Sequence, residues 1–185
     1  MIYDRWTLHI EKVTTDFLRE FGSLTPFELN WKPKPNAWSI AQNIDHLIMI
    51  NDSYFRTVHA LRDGEYKPHF LAKFGFIVER VGQYILDEVQ PYPVKKVKTF
   101  PIWQPSDAAD SAIFQKFEHH QDLLIQLIRD SYELLDREAV ISSPANRLIV
   151  YKLSTAFDII IAHEKRHFAQ CQDVFNLLRR KMATK

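Results

Sequence analysis

Apolar residues recur every three or four positions through four long stretches of this chain, and prolines and polar residues interrupt the pattern between them. In the first stretch, Trp6, Ile10, Val13, Phe17 and Phe21 fall on one face of a helix with 3.6 residues per turn. The spacing predicts a helix over residues 3–21, stopped by Gly22. Residues 23–38 carry Pro26, Pro33 and Pro35 and read as loop. Ser39, with Gln42 three positions on, has the pattern of an N-cap and its capping-box partner. Ile40, Ile44, Leu47, Ile50, Tyr54, Val58 and Leu61 then carry a second helix to Gly64.

The middle of the chain is mixed. Residues 71–89 have helical spacing but include Gly75 and Gly82, which predicts one shorter helix, and the proline-punctuated run that follows reads as extended. A third long helix is expected from Ser106 or Asp107, through Phe114, Phe117, Leu124, Leu127 and Ile128, to Leu135. A loop around residues 142–147 leads to a last helix over residues 154–180, with Arg179, Arg180 and Lys181 placed to suit its C-terminal dipole. Four long amphipathic helices in a single domain over residues 1–185 predict an all-α four-helix bundle. The connection between the second and third long helices, roughly 40 residues against roughly 15 for the other two, is long enough to cross the bundle and give up-down-down-up order.

Composition narrows the function classes. The chain has 185 residues, 46% hydrophobic and 25% charged, the profile of a globular protein. Its formal net charge of +1 gives no bulk attraction to nucleic acid or an anionic membrane. No run approaches the roughly 18 apolar residues of a membrane span, and the N-terminus is too charged for a signal peptide. Cys171 is the single cysteine, so no intramolecular disulfide forms, which fits a cytoplasmic location. At its position the default is a buried small hydrophobe.

The histidines add chemistry. His163 and His167 lie four apart in IAHEKRHFAQ, so both imidazoles leave one face of the last helix, one turn apart. HEKRH matches the H-E-x-x-H pattern of zinc proteases. However, no histidine, glutamate or glycine follows His167, so the third ligand that such proteases take from downstream is missing. His46, on the apolar side of the second helix, is the best third candidate, with Gln42 and Asn43 near enough to orient a ring. His9 also remains open as a candidate. His119 and His120, beside Glu118 and Gln121, read as solvated surface. Three neutral imidazoles with an open fourth position form the ligand set of a catalytic divalent ion. The competing interpretation is a set of unrelated core and surface histidines.

Two motifs carry a resemblance. NWKPKPNAWSIAQNIDHLIMINDSYF, with Trp38, Ser39, Ile40 and the pair His46 and Leu47, resembles the N-terminal signature of the DinB/YfiT-like superfamily. IAHEKRHFAQ, with His163, His167 and Gln170, resembles its C-terminal H-x-x-x-H motif. The resemblance implies an up-down-down-up bundle, a divalent metal on His46, His163 and His167 with Zn²⁺ or Ni²⁺ as the expected ion, and often a homodimer. It also implies thiol-dependent S-transferase or isomerase chemistry with a low-molecular-weight thiol, or metal-dependent hydrolysis of a small substrate. Residues 65–105 match no specificity motif.

Glu164, next to His163, is a candidate general base, with a surface salt-bridge role as the plainer alternative. Trp31, Trp38 and Trp103 sit in or beside proline-rich loops, where they either wall a pocket or pack beneath loops. A different class, a non-enzymatic metal-stabilised bundle acting in a stress response, would close the metal with a fourth protein ligand. His9 or Glu11 could supply it.

Overall fold

The four periodic stretches all become helices, but the protein is mainly rather than wholly helical. The computed structural model describes residues 4–91, 99–107 and 112–184. Helix α1 (Asp4–Phe21) buries Trp6, Ile10, Val13, Phe17 and Phe21, the face its periodicity marked; Tyr3, where the sequence started this helix, lies outside the described residues. A short helix α2 (Pro26–Asn30) forms where the sequence reads as loop. Thr25 caps it, Pro26 occupies the first turn, and Glu28 reaches back to the Thr25 N–H at 2.8 Å. Helix α3 (Ile40–Arg62) is capped by Ser39 and Gln42 as expected, and Gly64, at φ 74°, turns the chain just beyond its end.

Helix α4 (Gly75–Glu88) is the single shorter helix of the middle region. Ser106 and Asp107 do not open the next helix; residues 108–111 lie outside the description, and α5 runs Ile113–Arg129. Ser106 is instead tied to α3: its carbonyl accepts from Gln42 Nε2 at 2.8 Å and its N–H donates to Asp45 at 3.2 Å. The expected continuation to Leu135 is broken at residues 130–131. The buried Ser131 hydroxyl donates to the Leu127 carbonyl at 2.6 Å, and a separate short helix α6 (Tyr132–Asp136) follows.

The larger departure from an all-α fold is a hairpin. Strands β1 (Val140–Ser143) and β2 (Asn146–Lys152) pair antiparallel, with Ile141 opposite Tyr151, across a turn at Pro144 and Ala145. No Asn-Gly or Asp-Gly marks this turn, so its strongest sequence signal is missing. Helix α7 (Leu153–Ala183) begins at the residue after β2 ends.

The buried apolar residues form two clusters. One gathers Trp6 and Ile10 with Tyr54, Val58, Leu124 and Phe157. The other gathers Phe17, Phe21, Ile44, Leu47, Phe117 and Cys171. Phe17 meets Phe117 and Phe168 edge-on, each with ring centroids 5.1 Å apart. Asp158 of α7 accepts from Trp6 Nε1 at 2.7 Å, and Gln172 donates to Glu20 at 2.9 Å, so both ends of α1 are fastened to α7. No helix among the described residues is long and apolar enough to cross a membrane.

Gly82 lets α4 approach the hairpin and α7. A Cβ there would lie 3.1 Å from Thr155 Cγ2 and 3.2 Å from Tyr151 Cβ. Gly82→Leu is therefore expected to lose about 1–3 kcal/mol of stability through overpacking. Urea unfolding measures this, and an unshifted midpoint would mean that α4 is not packed as described.

Candidate metal centre

Helices α3 and α7 bring His46, His163 and His167 together. One ring nitrogen from each lies within 4.8 Å of the others. The ring centroids are 4.5 Å apart for His163 and His167, 4.8 Å for His46 and His167, and 5.3 Å for His46 and His163. His46 and His167 are buried and His163 is half-buried. Trp38 covers the group, its ring 4.7 Å from that of His46 and stacked at 6.0 Å on His167.

Two oxygens settle which nitrogens face inward. Nδ1 of His46 lies 2.6 Å from the Trp103 carbonyl, which can only accept, so Nδ1 carries the proton. Asn43 donates through Nδ2 to the Ser39 carbonyl at 2.8 Å, which turns its Oδ1 toward His167 Nδ1 at 2.7 Å. His167 therefore also carries its proton on Nδ1. In both neutral rings Nε2 keeps its lone pair and points into the cluster. Nε2 of His167 and Nε2 of His163 are 3.1 Å apart. That is close to the edge of about 3.3 Å expected between imidazole nitrogens around a tetrahedral ion at about 2.0–2.1 Å. Nδ1 of His163 is buried and has no hydrogen-bond partner among the described residues.

The electrostatics agree with a cation site. Burial lowers the pKa of His46. Burial, then the neighbouring imidazoles and Arg166, hold those of His163 and His167 well below the usual histidine value. Neutral imidazoles are what a divalent ion requires. The donor set, its inward lone pairs and its tied-back Nδ1 atoms fit such an ion.

The site opens into a cavity of about 970 Å³. Trp38 and Trp103 line it, while Trp31 packs against the second apolar cluster instead. Arg166 also lines it and donates to the Glu88 carbonyl at 2.6 Å. Arg166 carries no motif signal in the sequence, although on a helical wheel it lies only about 60° from His163.

Glu164 faces elsewhere. It is fully buried and is not among the side chains lining the cavity. Its carboxylate accepts from Asn51 Nδ2 at 2.8 Å and from Gln121 Nε2 at 3.1 Å. Burial raises its pKa to about 7, against the pull of those hydrogen bonds. It has no salt bridge to Lys165 or Arg166 among the described contacts. Of the two histidines that read as solvated surface, His119 is exposed but His120 is buried, with Nδ1 3.2 Å from Asp52. His9 lies against the Arg5 carbonyl and Glu11 against Arg129, so neither joins the three histidines. Cys171 is a buried free thiol apart from them.

A mainly helical chain with three imidazoles converging beside a cavity belongs to the class of helical proteins equipped to hold a metal ion. Its family follows from comparison with known proteins: the family model of the DinB superfamily matches residues 9–171, and the chain belongs to that superfamily. Comparisons with curated proteins and with solved structures give no match.

Substitutions at two positions probe the supports. Asn43→Ala releases His167 and is expected to weaken metal affinity about 10–100-fold, read by chelator competition. Unchanged affinity would mean that the amide does not orient the ring. Glu164→Ala leaves Asn51 and Gln121 facing a void and is expected to lose about 2–4 kcal/mol. Glu164→Gln keeps the shape and is expected to stay within about 1 kcal/mol of the parent. Denaturant midpoints for the pair test this, and equal losses would contradict it.

Proposed function

We propose that the protein is a metal-dependent enzyme whose Zn²⁺ or Ni²⁺ is held by His46, His163 and His167, and that it joins a low-molecular-weight thiol to a small electrophile. One observation carries this reading. Three imidazoles converge beside a large cavity, two of them with Nε2 turned inward by fixed acceptors, and among the described residues no other histidine, cysteine or carboxylate completes the set. Three protein ligands and an open position characterise catalytic rather than structural zinc.

An ion bound there supplies the acidity that turns a thiol into a thiolate near neutral pH. The chain's own groups do the rest. Trp38 shields the cluster from water, the Trp103 carbonyl and Asn43 hold two rings in one tautomer, and Arg166 places a cation beside the reacting groups. The thiolate sulfur forms a bond to the electrophilic carbon, the leaving group departs with its electron pair, and the thiol proton passes to solvent. In this reading Glu164 is a positioning residue that anchors α7 to α3 and α5 and leaves proton transfer to others. Hydrolysis of a small substrate at the same centre is the second reading, favoured by the same open position.

We also infer an up-down-down-up order for α1, α3, α5 and α7. It is supported by Thr14 meeting Gln121, Asp52 meeting His120, Arg62 meeting Asp130, and Asn51 meeting Glu164.

Purified protein is expected to carry close to one divalent ion per chain, lost in His46→Ala and in His163→Ala, as measured by elemental analysis. It is expected to catalyse metal-dependent conjugation of cysteine or glutathione to a chromogenic electrophile. Equal metal content in parent and variants would refute the site. Full metal with no conjugation across a broad panel would transfer the proposal to hydrolysis.

A further inference from the structure

We infer that the cavity has two arms meeting at the histidines, and that the arm running toward the hairpin binds the apolar body of the electrophile. This rests on the thiol-transfer reading for the word electrophile, but the arm itself is defined by its walls. Those walls are Ile50 of α3, Ile85 of α4, Val89 just after it, Ile149 of β2, and Ile159 and Ile160 of α7. None carries a polar side chain. At the far end stand Tyr54 and Tyr151, both buried, whose hydroxyls lie 2.9 Å apart, and Tyr151 also has a side-chain hydrogen bond with Ser143. The two tyrosine hydroxyls therefore have protein partners, and an uncharged, unfunctionalised tail fits against them with little polar penalty.

Polar side chains line the cavity as well: Glu88, adjacent to Val89, and Ser143, a partner of Tyr151, border the aliphatic arm. Asn36, Gln170 and Asp173 line the opposite arm, and Arg166 sits beside the imidazoles. A small thiol rich in hydrogen-bonding groups matches that arm and not the aliphatic one. The volume of about 970 Å³ is at the top of the usual range of about 300–1,000 Å³ for small-molecule sites, so it has room for two reactants. Tyr54 lies eight residues beyond His46 on α3, which sets the apolar arm at about 12 Å. The inferred substrate class is thus an uncharged aliphatic or aryl-aliphatic molecule of about that length, with its reactive carbon at the histidine end.

The test uses straight-chain 1-alkanols from four to twelve carbons, titrated calorimetrically into the full-length protein as purified. Affinity is expected to rise about threefold to fourfold per methylene and to level off near roughly nine carbons. Ile149→Trp and Ile85→Phe each narrow the arm and are expected to move the plateau to shorter chains, with metal content and helical circular dichroism checked alongside. His163→Ala is expected to keep the chain-length dependence while losing metal, so failure of the metal reading and failure of this one give different results. Flat affinity along the series would overturn the inference. So would a plateau that stays in place in both narrowed, folded variants.

Discussion

Two acceptor oxygens, the carbonyl of Trp103 and Oδ1 of Asn43, decide what this molecule can be. Each takes the proton-bearing nitrogen of a buried imidazole, and each is itself fixed: Trp103 by the turn around it, Asn43 by its bond to the Ser39 carbonyl. The helix cap that begins α3 is therefore coupled to the tautomer of a histidine on α7. The cap does local folding work and also orients the site, through one amide side chain.

That coupling lies within a polar layer between the two apolar clusters. Below and above it the helices pack by aromatic and aliphatic contact. Within it, α7 shows two chemistries on adjacent faces. His163 and His167 look toward the cavity, while Glu164 looks inward to Asn51 and Gln121. Buried polar groups of this kind are costly unless partnered, and they favour one arrangement over its near alternatives because a register shift would leave several of them unpaired. Asn51 Oδ1, Gln121 Oε1 and His163 Nδ1 have no protein partner among the described residues.

Most of this architecture was legible in the chain. Helices α1, α3, α4 and α7 follow from apolar spacing and from the Ser39 cap, and the His46, His163 and His167 grouping follows from one i, i+4 pair and one apolar-face histidine. Elements set by tertiary context were not. Helix α2 is five residues long, too short for periodicity, although Thr25 and Glu28 carried its capping signal. The hairpin turns on Pro144 and Ala145, which announce no particular turn type. His120 looked solvated because its sequence neighbours are polar, yet it is turned inward beside Phe55. The direction of Glu164 was equally hidden. Next to His163, a step of 100° separates a cavity face from a core face, and only packing against α3 and α5 chooses between them.

The junction at residues 152–153 has a further meaning. With no linker between β2 and α7, the hairpin is a rigid extension of the helix that bears two of the three imidazoles. Substituting Ser143 or Ile149, which the hairpin presents to the chamber, would redraw one wall and leave the imidazole nitrogens where they are. One continuous piece of backbone thus furnishes both a wall of the chamber, from the strands, and two of its imidazoles, from the helix, and the wall can change without displacing the rings.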